Sequence, residues 1–152
     1  YEQIELGFNY RMTDFQGALG ASQMSRLDEF VSQRHIIAKR YDEALSDLPI
    51  TLPWQHPDAY SSFHLYVIRL KLNEAKITHR EFFEALQQAG IMVNLHYIPV
   101  YIQPYYKRLG FKAGYCPNAE QYYQEAISIP IFYNLTAVQQ QHVISSIRHI
   151  LA

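Results

Sequence analysis

The chain has 152 residues, of which 49% are hydrophobic and 18% are charged, a composition typical of a soluble globular domain. Its net charge of -1 argues against binding to nucleic acid or to an anionic membrane surface, since both require clustered Lys and Arg. No apolar run approaches the roughly 20 residues that span a bilayer, so we expect no membrane segment.

The single cysteine and the first residue give two expectations, one about the location of the protein and one about the extent of the chain. Cys116 is the single cysteine, which excludes an internal disulfide and a cysteine-based metal cluster and favours a reducing, cytoplasmic location. The chain opens on Tyr1 rather than Met, and we expect it to be a piece of a longer protein. The histidines show neither pairing at i and i+4 nor acidic partners at ligand spacing, so we expect no metal site.

The first predicted element is a long helix that begins after Thr13. Thr13 and Gln16 have the spacing of a capping box, in which each side chain satisfies a free N–H group of the first turn. Apolar residues then recur at helical spacing as far as Leu48, and Pro49 ends the helix.

Two glycines weaken this long helix. Gly17 and Gly20 each cost about 1 kcal/mol relative to Ala, and we interpret them as positions where another backbone approaches closely. We expect a kink or break between Gly20 and Ser25, because more than thirty residues is long for one helix of a small domain.

A buried strand and a second helix follow. Residues 63–70 (FHLYVIRL) are rich in β-branched and aromatic side chains, which predicts a strand covered on both faces. Thr78 and Glu81 form a second capping box, and Gly90 is placed to end this helix in the left-handed conformation.

Residues 91–97 (IMVNLHY) are predicted to form the next strand. Alternation divides it into an apolar face and a polar face, the first with Ile91, Val93, Leu95 and Tyr97, the second with Met92, Asn94 and His96. The polar face indicates one side of a pocket. From these residues alone, a solvent-facing or internally bonded His96 is an open alternative.

The remaining elements are a long loop, a helix, a strand and a final helix. Residues 98–117 have no period and predict an ordered loop with a short helix at 103–109. Asn118 is expected to cap a helix through residue 126, and Pro130 is expected to confine the strand at 127–131 to a sheet edge. A third capping box at Thr136 opens the last helix. The order of elements indicates an α/β layer, a small sheet covered by helices.

Residues 6–16 (LGFNYRMTDFQ), which continue into GALGASQMSRLDEF, resemble a segment of the DegT/DnrJ/EryC/StrS family of pyridoxal-phosphate-dependent sugar aminotransferases. In that family the segment follows the cofactor lysine. It carries an Asn-x-Arg hook that reaches into the active site of the neighbouring subunit. The resemblance implies the small C-terminal domain of the aspartate-aminotransferase-like (type I) fold: a mainly antiparallel sheet flanked by helices and preceded by a long helix. Residues 1–24 would end the cofactor domain, and residues 25–152 would form the small domain.

The hook corresponds to Asn9 and Arg11. The resemblance implies that Asn9 contacts the phosphate of a pyridoxal phosphate bound mainly by the other subunit of a homodimer, and that Arg11 binds substrate. Without the resemblance, a bare Asn-x-Arg is more often a turn residue beside a surface arginine.

Two further segments carry the resemblance. Residues 96–106 (HYIPVYIQPYY) are similar to the family's His-Tyr-x-Pro-Val-His segment, which implies nucleotide-sugar contacts for His96, Tyr97 and Tyr101. Tyr101 replaces the family's second histidine with a longer, neutral phenol. His64 in SSFHLYVIRL matches a similar Ser-x-x-His-Leu-Tyr, which implies that His64 belongs to the substrate-binding residues. There it would orient an active-site loop, or instead bond a buried carbonyl.

The catalytic lysine is expected upstream of this chain. A Schiff-base lysine needs a pKa lowered by burial or by a nearby cation, and no lysine here has the small, Gly-rich surroundings of the family's lysine. We therefore predict a C-terminal piece that is inactive alone. The full-length enzyme is expected to move an amino group from an amino acid, with glutamate as the expected donor, to a nucleotide-linked 4-keto-6-deoxy sugar.

Within the family, SSFHLYVIRL and residues 94–111 most resemble the branch that makes the UDP-linked 4-amino-sugar precursor of pseudaminic acid. The transaminase of lipid A modification is a near second. A non-catalytic dimerisation or folding module is the alternative function, and a small-ligand sensor based on the Tyr-rich loop is a third.

Overall fold

The computed structural model describes residues 5, 7–8 and 10–152. The predicted fold class is confirmed: a small antiparallel sheet is covered by helices. In chain order the elements are α1 (Asp14–Met24), α2 (Leu27–Leu45), β1 (Ile50–Thr51), β2 (Tyr66–Leu70), α3 (His79–Gln88), β3 (Asn94–Leu95), a 3₁₀ turn (Val100–Ile102), α4 (Pro104–Arg108), α5 (Pro117–Glu125), β4 (Ala126–Ile129) and α6 (Ala137–Leu151). In the described part of the chain, no helix has the length and apolarity needed to cross a membrane.

The sheet has four strands in the order β1-β2-β4-β3, and every pair is antiparallel. Tyr66 lies opposite Ile129, and Ser128 lies opposite Asn94. β4 is therefore an interior strand, and the prediction that Pro130 confines it to an edge is wrong. The strand ends at Ile129, so Pro130 follows it and costs the ladder no hydrogen bond.

One hydrophobic core joins the helices to the sheet. Most of its buried members come from α2, β2, α3, β4 and α6, among them Ile37, Tyr41, Leu45, Tyr66, Ile68, Leu70, Phe82, Leu86, Ile127, Val143 and Ile147. The buried hydroxyl of Tyr41 donates to the carbonyl oxygen of Pro130 at 2.9 Å, which ties α2 to the end of β4. Gln140 of α6, 1% exposed, donates to the carbonyl oxygen of Ile37 at 2.8 Å and joins α6 to α2.

The three predicted capping boxes are confirmed at Thr13, Thr78 and Thr136. Gly90 ends α3 with φ at +76°, as expected. Its N–H donates to the carbonyl of Gln87, and the N–H of Ile91 donates to that of Leu86, which together form a Schellman motif. These helix ends form locally because all of their hydrogen bonds join residues close in sequence.

The predicted long helix is broken between α1 and α2, at Ser25 and Arg26. The two halves differ in burial: α1 has no buried residue, whereas α2 contributes four buried residues to the core. No heavy atom lies within 4 Å of a Cβ built on Gly20. The expected close approach of another backbone to this glycine stays a prediction.

Two strands are shorter than predicted. The strand expected from residue 63 begins at Tyr66, because Phe63 adopts a left-handed backbone with φ at +44°. Of residues 91–97, the ladder includes Asn94–Leu95.

The start of α5 also differs from the prediction. This helix begins at Pro117, with Cys116 as its N-cap residue, so Asn118 is not the cap. Proline suits the first helical position because the N–H it lacks would have no intrahelical partner there.

Candidate functional site

Residues 96–116, called here the aromatic loop, carry most of the candidate site. A chain of ring contacts runs through it, from Tyr105 to Tyr106, Phe111, Tyr115 and Tyr101, with centroid separations of 5.3, 6.3, 5.4 and 5.6 Å. The 3₁₀ turn and α4 order its first half. The loop therefore holds rings in a fixed arrangement, many of them exposed to solvent.

Tyr101 lies at the centre of a group of hydrogen bonds that closes this loop. This group, called here the clasp, consists of Tyr101, Gly114, Cys116 and Glu120. Its hydroxyl lies 2.5 Å from Oε1 of Glu120, 3.1 Å from the carbonyl oxygen of Cys116 and 3.2 Å from the N–H of Cys116. The same Oε1 accepts from the N–H of Gly114 at 2.5 Å. The hydrogen bonds from Tyr101 and Gly114 lower the pKa of Glu120, so the clasp contains a carboxylate at neutral pH.

His96 is turned inward rather than toward the predicted polar face. Met92 is 87% exposed and Asn94 is exposed, whereas His96 is half-buried with its ring beside Tyr97 and Tyr122. The alternation of the strand therefore ends after Leu95, and the predicted grouping of His96 with Met92 and Asn94 is wrong. Tyr97, expected on the apolar face, is 77% exposed.

The buried nitrogen of His96 has no hydrogen-bond partner within the described residues. Nε2 is shielded from solvent and unpaired there. Burial lowers the pKa of His96 below its ordinary value, so the imidazole is neutral at pH 7. A neutral imidazole can donate or accept through Nε2, depending on its tautomer.

The charged side chains of the aromatic loop are all basic. The sequence contains no acidic residue between Glu84 and Glu120, while Lys107, Arg108 and Lys112 are basic and exposed. The guanidinium of Arg108 lies 5.6 Å from the ring centre of Tyr105, within the range of a cation–π contact. Rings beside cations suit a ligand that has both a planar group and negative charge.

His64 lies elsewhere, in a cavity of about 600 Å³ at one end of the sheet. The cavity is mainly apolar, and Asn94 and His142 are among its polar lining residues. The structure thus brings His64 together with Asn94, and places Tyr101 in a separate clasp with Glu120.

The hook residues lie ahead of α1. Arg11 is exposed, two residues before the Thr13 cap. Asn9 lies outside the described residues, so its predicted contact with the cofactor phosphate stays a prediction.

The lysines of the chain do not fit a pyridoxal-phosphate site. All five are exposed: Lys39, Lys71, Lys76, Lys107 and Lys112. Lys39 pairs with Glu43 at 3.9 Å and Lys71 with Glu74 at 3.3 Å, whereas a Schiff-base lysine needs burial or a neighbouring cation. Within residues 5, 7–8 and 10–152, His, Cys, Asp and Glu form no cluster of three that could hold a metal ion.

Two residues that support the candidate site could not be identified from the sequence. Glu120 closes the clasp on Tyr101 from 19 residues away, and Arg34 binds three backbone carbonyls beside His64. Neither belongs to a local motif, because each acts on residues that are distant along the chain.

Comparisons with known proteins agree with this geometry. The sequence profile of the DegT/DnrJ/EryC1/StrS aminotransferase family matches residues 1–148. The spore coat polysaccharide biosynthesis protein SpsC of Bacillus subtilis is 36% identical over 154 residues, covering 99% of this chain and 40% of SpsC.

Solved structures also resemble this chain, and two of them illustrate the likeness. PseC of Helicobacter pylori, an aminotransferase involved in the biosynthesis of pseudaminic acid, is similar with a TM-score of 0.88 and 30% identity, over 99% of this chain and 40% of that chain. DesV of S. venezuelae, solved with a ketimine intermediate, is similar with a TM-score of 0.88 and 29% identity, over 98% of this chain and 39% of that chain. The chain therefore spans about 40% of the length of the proteins it matches.

Proposed function

The chain belongs to the DegT/DnrJ/EryC1/StrS aminotransferase family, and we propose that it is the C-terminal part of a pyridoxal-phosphate-dependent sugar aminotransferase. The full-length enzyme would transfer an amino group from an amino acid, glutamate in our proposal, to a nucleotide-linked 4-keto-6-deoxy sugar. The family match over residues 1–148 carries this proposal. The cofactor supplies the chemistry of amino transfer, and the protein supplies binding and orientation.

The described part of the chain supports a boundary after residue 24. α1 buries none of its side chains, and Phe15 and Leu19 are 90% and 63% exposed. α2, beyond the break at Ser25, enters the core. We propose that residues 1–24 pack with the cofactor domain of a cytoplasmic homodimer and that residues 25–152 form the small domain.

We assign the substrate-side residues as follows. Arg11 and the exposed ring of Tyr97 contact the nucleotide sugar, and Nε2 of His96 bonds to the substrate or to a group outside this chain. Tyr101 serves binding by holding the aromatic loop, because its hydroxyl is already engaged by Glu120. The basic side chains beside exposed rings support binding of an anionic ligand that contains a ring system, such as the nucleoside diphosphate group of a nucleotide sugar.

For the substrate, we propose a UDP-linked 4-keto sugar on the route to pseudaminic acid. The likeness to PseC supports this choice, as do the runs at residues 61–70 and 94–111. The keto-sugar substrate of lipid A modification is the second candidate.

The test is an amination assay on the full-length protein with pyridoxal phosphate, glutamate and a panel of nucleotide-linked keto sugars. We expect 2-oxoglutarate to form with the UDP-linked 4-keto-6-deoxy sugar. Failure with every keto sugar of the panel would overturn the proposal and favour a non-catalytic folding or dimerisation module. The 152-residue chain is the matched control and should show neither turnover nor a pyridoxal absorbance band.

A further inference from the structure

Phe63 has a strained backbone just before β2. Among the described residues it is the only one other than glycine with a positive φ, at 44°. This conformation is strained for a residue other than glycine and persists only where its surroundings hold it. The side chain is 7% exposed and packs edge-on against His35, with the ring of Tyr66 nearby.

The bend at Phe63 exchanges the faces of the residues that lead into β2. Tyr66, Ile68 and Leu70 are buried, and a period of two continued backward would bury His64 and expose Phe63. The structure has the reverse arrangement: Phe63 is buried, and His64 is exposed and lines the cavity of about 600 Å³. The location of His64 therefore depends on the bend.

Arg34 of α2 forms the hydrogen bonds that hold this bend. Its Nη1 donates to the carbonyl oxygens of Phe63, His64 and Ile131 at 2.9, 3.1 and 3.1 Å. Hydrogen bonds from a charged donor are stronger than neutral ones, and Arg34 is half-buried, where they are less screened. The three carbonyls belong to two chain segments that are far apart in sequence, and one guanidinium joins them.

The other side of the bend is also held. The N–H of Phe63 donates to Oγ of Ser61 at 3.1 Å, and the carbonyl oxygen of Ser61 lies 2.8 Å from Nε2 of His35. Arg34 and His35 are consecutive on α2, so one turn of this helix supports the segment from both sides.

We propose that Arg34 is a positioning residue: by binding the carbonyls of Phe63, His64 and Ile131, it maintains the left-handed bend and keeps the imidazole of His64 in the cavity instead of the core. This inference rests on the proposed function only for the role of His64 at the substrate.

A double-mutant cycle in the full-length enzyme tests the coupling. Arg34→Met removes the donors but keeps the length of the side chain, and His64→Ala removes the imidazole. We expect each change to lower kcat/KM by a similar factor and the double variant to be no worse than His64→Ala. Arg34→Lys should restore part of the activity, because one ammonium carries three donors. Arg40→Met, an exposed arginine of the same helix, is the control and should match wild type. Losses that multiply in the double variant would overturn the proposal.

Ring NMR signals of His64 in histidine-labelled full-length protein give a readout that needs no activity. We expect them to shift in Arg34→Met, to return toward wild type in Arg34→Lys, and to stay unchanged in Arg40→Met. Unchanged signals in Arg34→Met would contradict the positioning role. Shifted signals with normal amination by His64→Ala would uphold it and remove His64 from the proposed substrate site. Should Arg34→Met not fold, Arg34→Gln gives the same comparison.

Discussion

The hydroxyl of Tyr101 and the carboxylate of Glu120 lie 2.5 Å apart and close the aromatic loop onto α5. Glu120 also accepts from the N–H of Gly114, and Cys116 contacts the Tyr101 hydroxyl through both its N–H and its carbonyl. One phenol thus connects the start of the loop to its end. Tyr101 therefore shapes the aromatic loop.

Removing the Tyr101 hydroxyl should therefore loosen the loop. In full-length Tyr101→Phe, we expect a several-fold rise in KM for the nucleotide sugar and a small change in kcat, because the ring stays and the clasp opens. Steady-state kinetics measure the effect. Tyr105→Phe, which changes another tyrosine of the same loop, is the control. A fall in kcat with KM unchanged would assign Tyr101 a direct part in the reaction instead.

The pH dependence of stability should reveal the burial of His96. Burial lowers the native pKa of His96 below its ordinary value of 6.5, so the unfolded chain binds this proton more readily. The contribution of the neutral imidazole is complete above pH 6.5 and is lost as the pH falls from 6.5 through the lower native pKa.

Urea unfolding of the wild-type chain and of His96→Gln measures this effect. We expect the difference in unfolding free energy between the two chains to shrink as the pH falls from about 7 to about 5. The comparison isolates His96, because the other six histidines are the same in both chains. A difference that grows as the pH falls would contradict a buried, neutral His96.

Replacing Gly90 by a residue with a side chain should lower the free energy of unfolding. Ala at φ +76° is strained, and Gly90→Ala should lower the free energy of unfolding by about 1–2 kcal/mol. No heavy atom lies within 4 Å of the added Cβ, so the cost comes from the backbone alone. Chemical denaturation measures it. Gly90→Asn should lose less, because Asn tolerates the left-handed region better; an equal loss would contradict the backbone account.

Gly20 tests whether α1 packs against the rest of the enzyme. In the 152-residue chain, Gly20→Ala should raise the free energy of unfolding by about 0.5–1 kcal/mol, because Ala is the better helix former and no atom lies within 4 Å. In the full-length dimer we expect the same change to lower the thermal midpoint, since we expect the backbone of the cofactor domain to approach Gly20 there. Stabilisation in both proteins would contradict the proposed boundary after residue 24.

Features of this fold that form within a few residues could be predicted from the sequence. The capping boxes at Thr13, Thr78 and Thr136 and the end of α3 at Gly90 need only neighbours along the chain. The break after α1 also followed from local composition and length.

Features that depend on distant partners could not be predicted. Pro130 indicated an edge strand, but β4 ends before it and pairs on both sides. Phe63 has no sequence signal for a left-handed bend, because the bend is held by Arg34, which lies 29 residues away along the chain. The inward turn of His96 likewise depends on packing beside Tyr122 of α5, which alternation within one strand does not contain.

We propose that this chain supplies one part of a pyridoxal-phosphate site whose lysine lies outside residues 1–152. Borohydride reduction of the full-length enzyme with bound cofactor, followed by peptide mass spectrometry, identifies the lysine that forms the Schiff base. We predict a single labelled lysine outside residues 1–152. Stoichiometric labelling of Lys39, Lys71, Lys76, Lys107 or Lys112 would show that the Schiff-base lysine lies within this chain and would contradict the proposal.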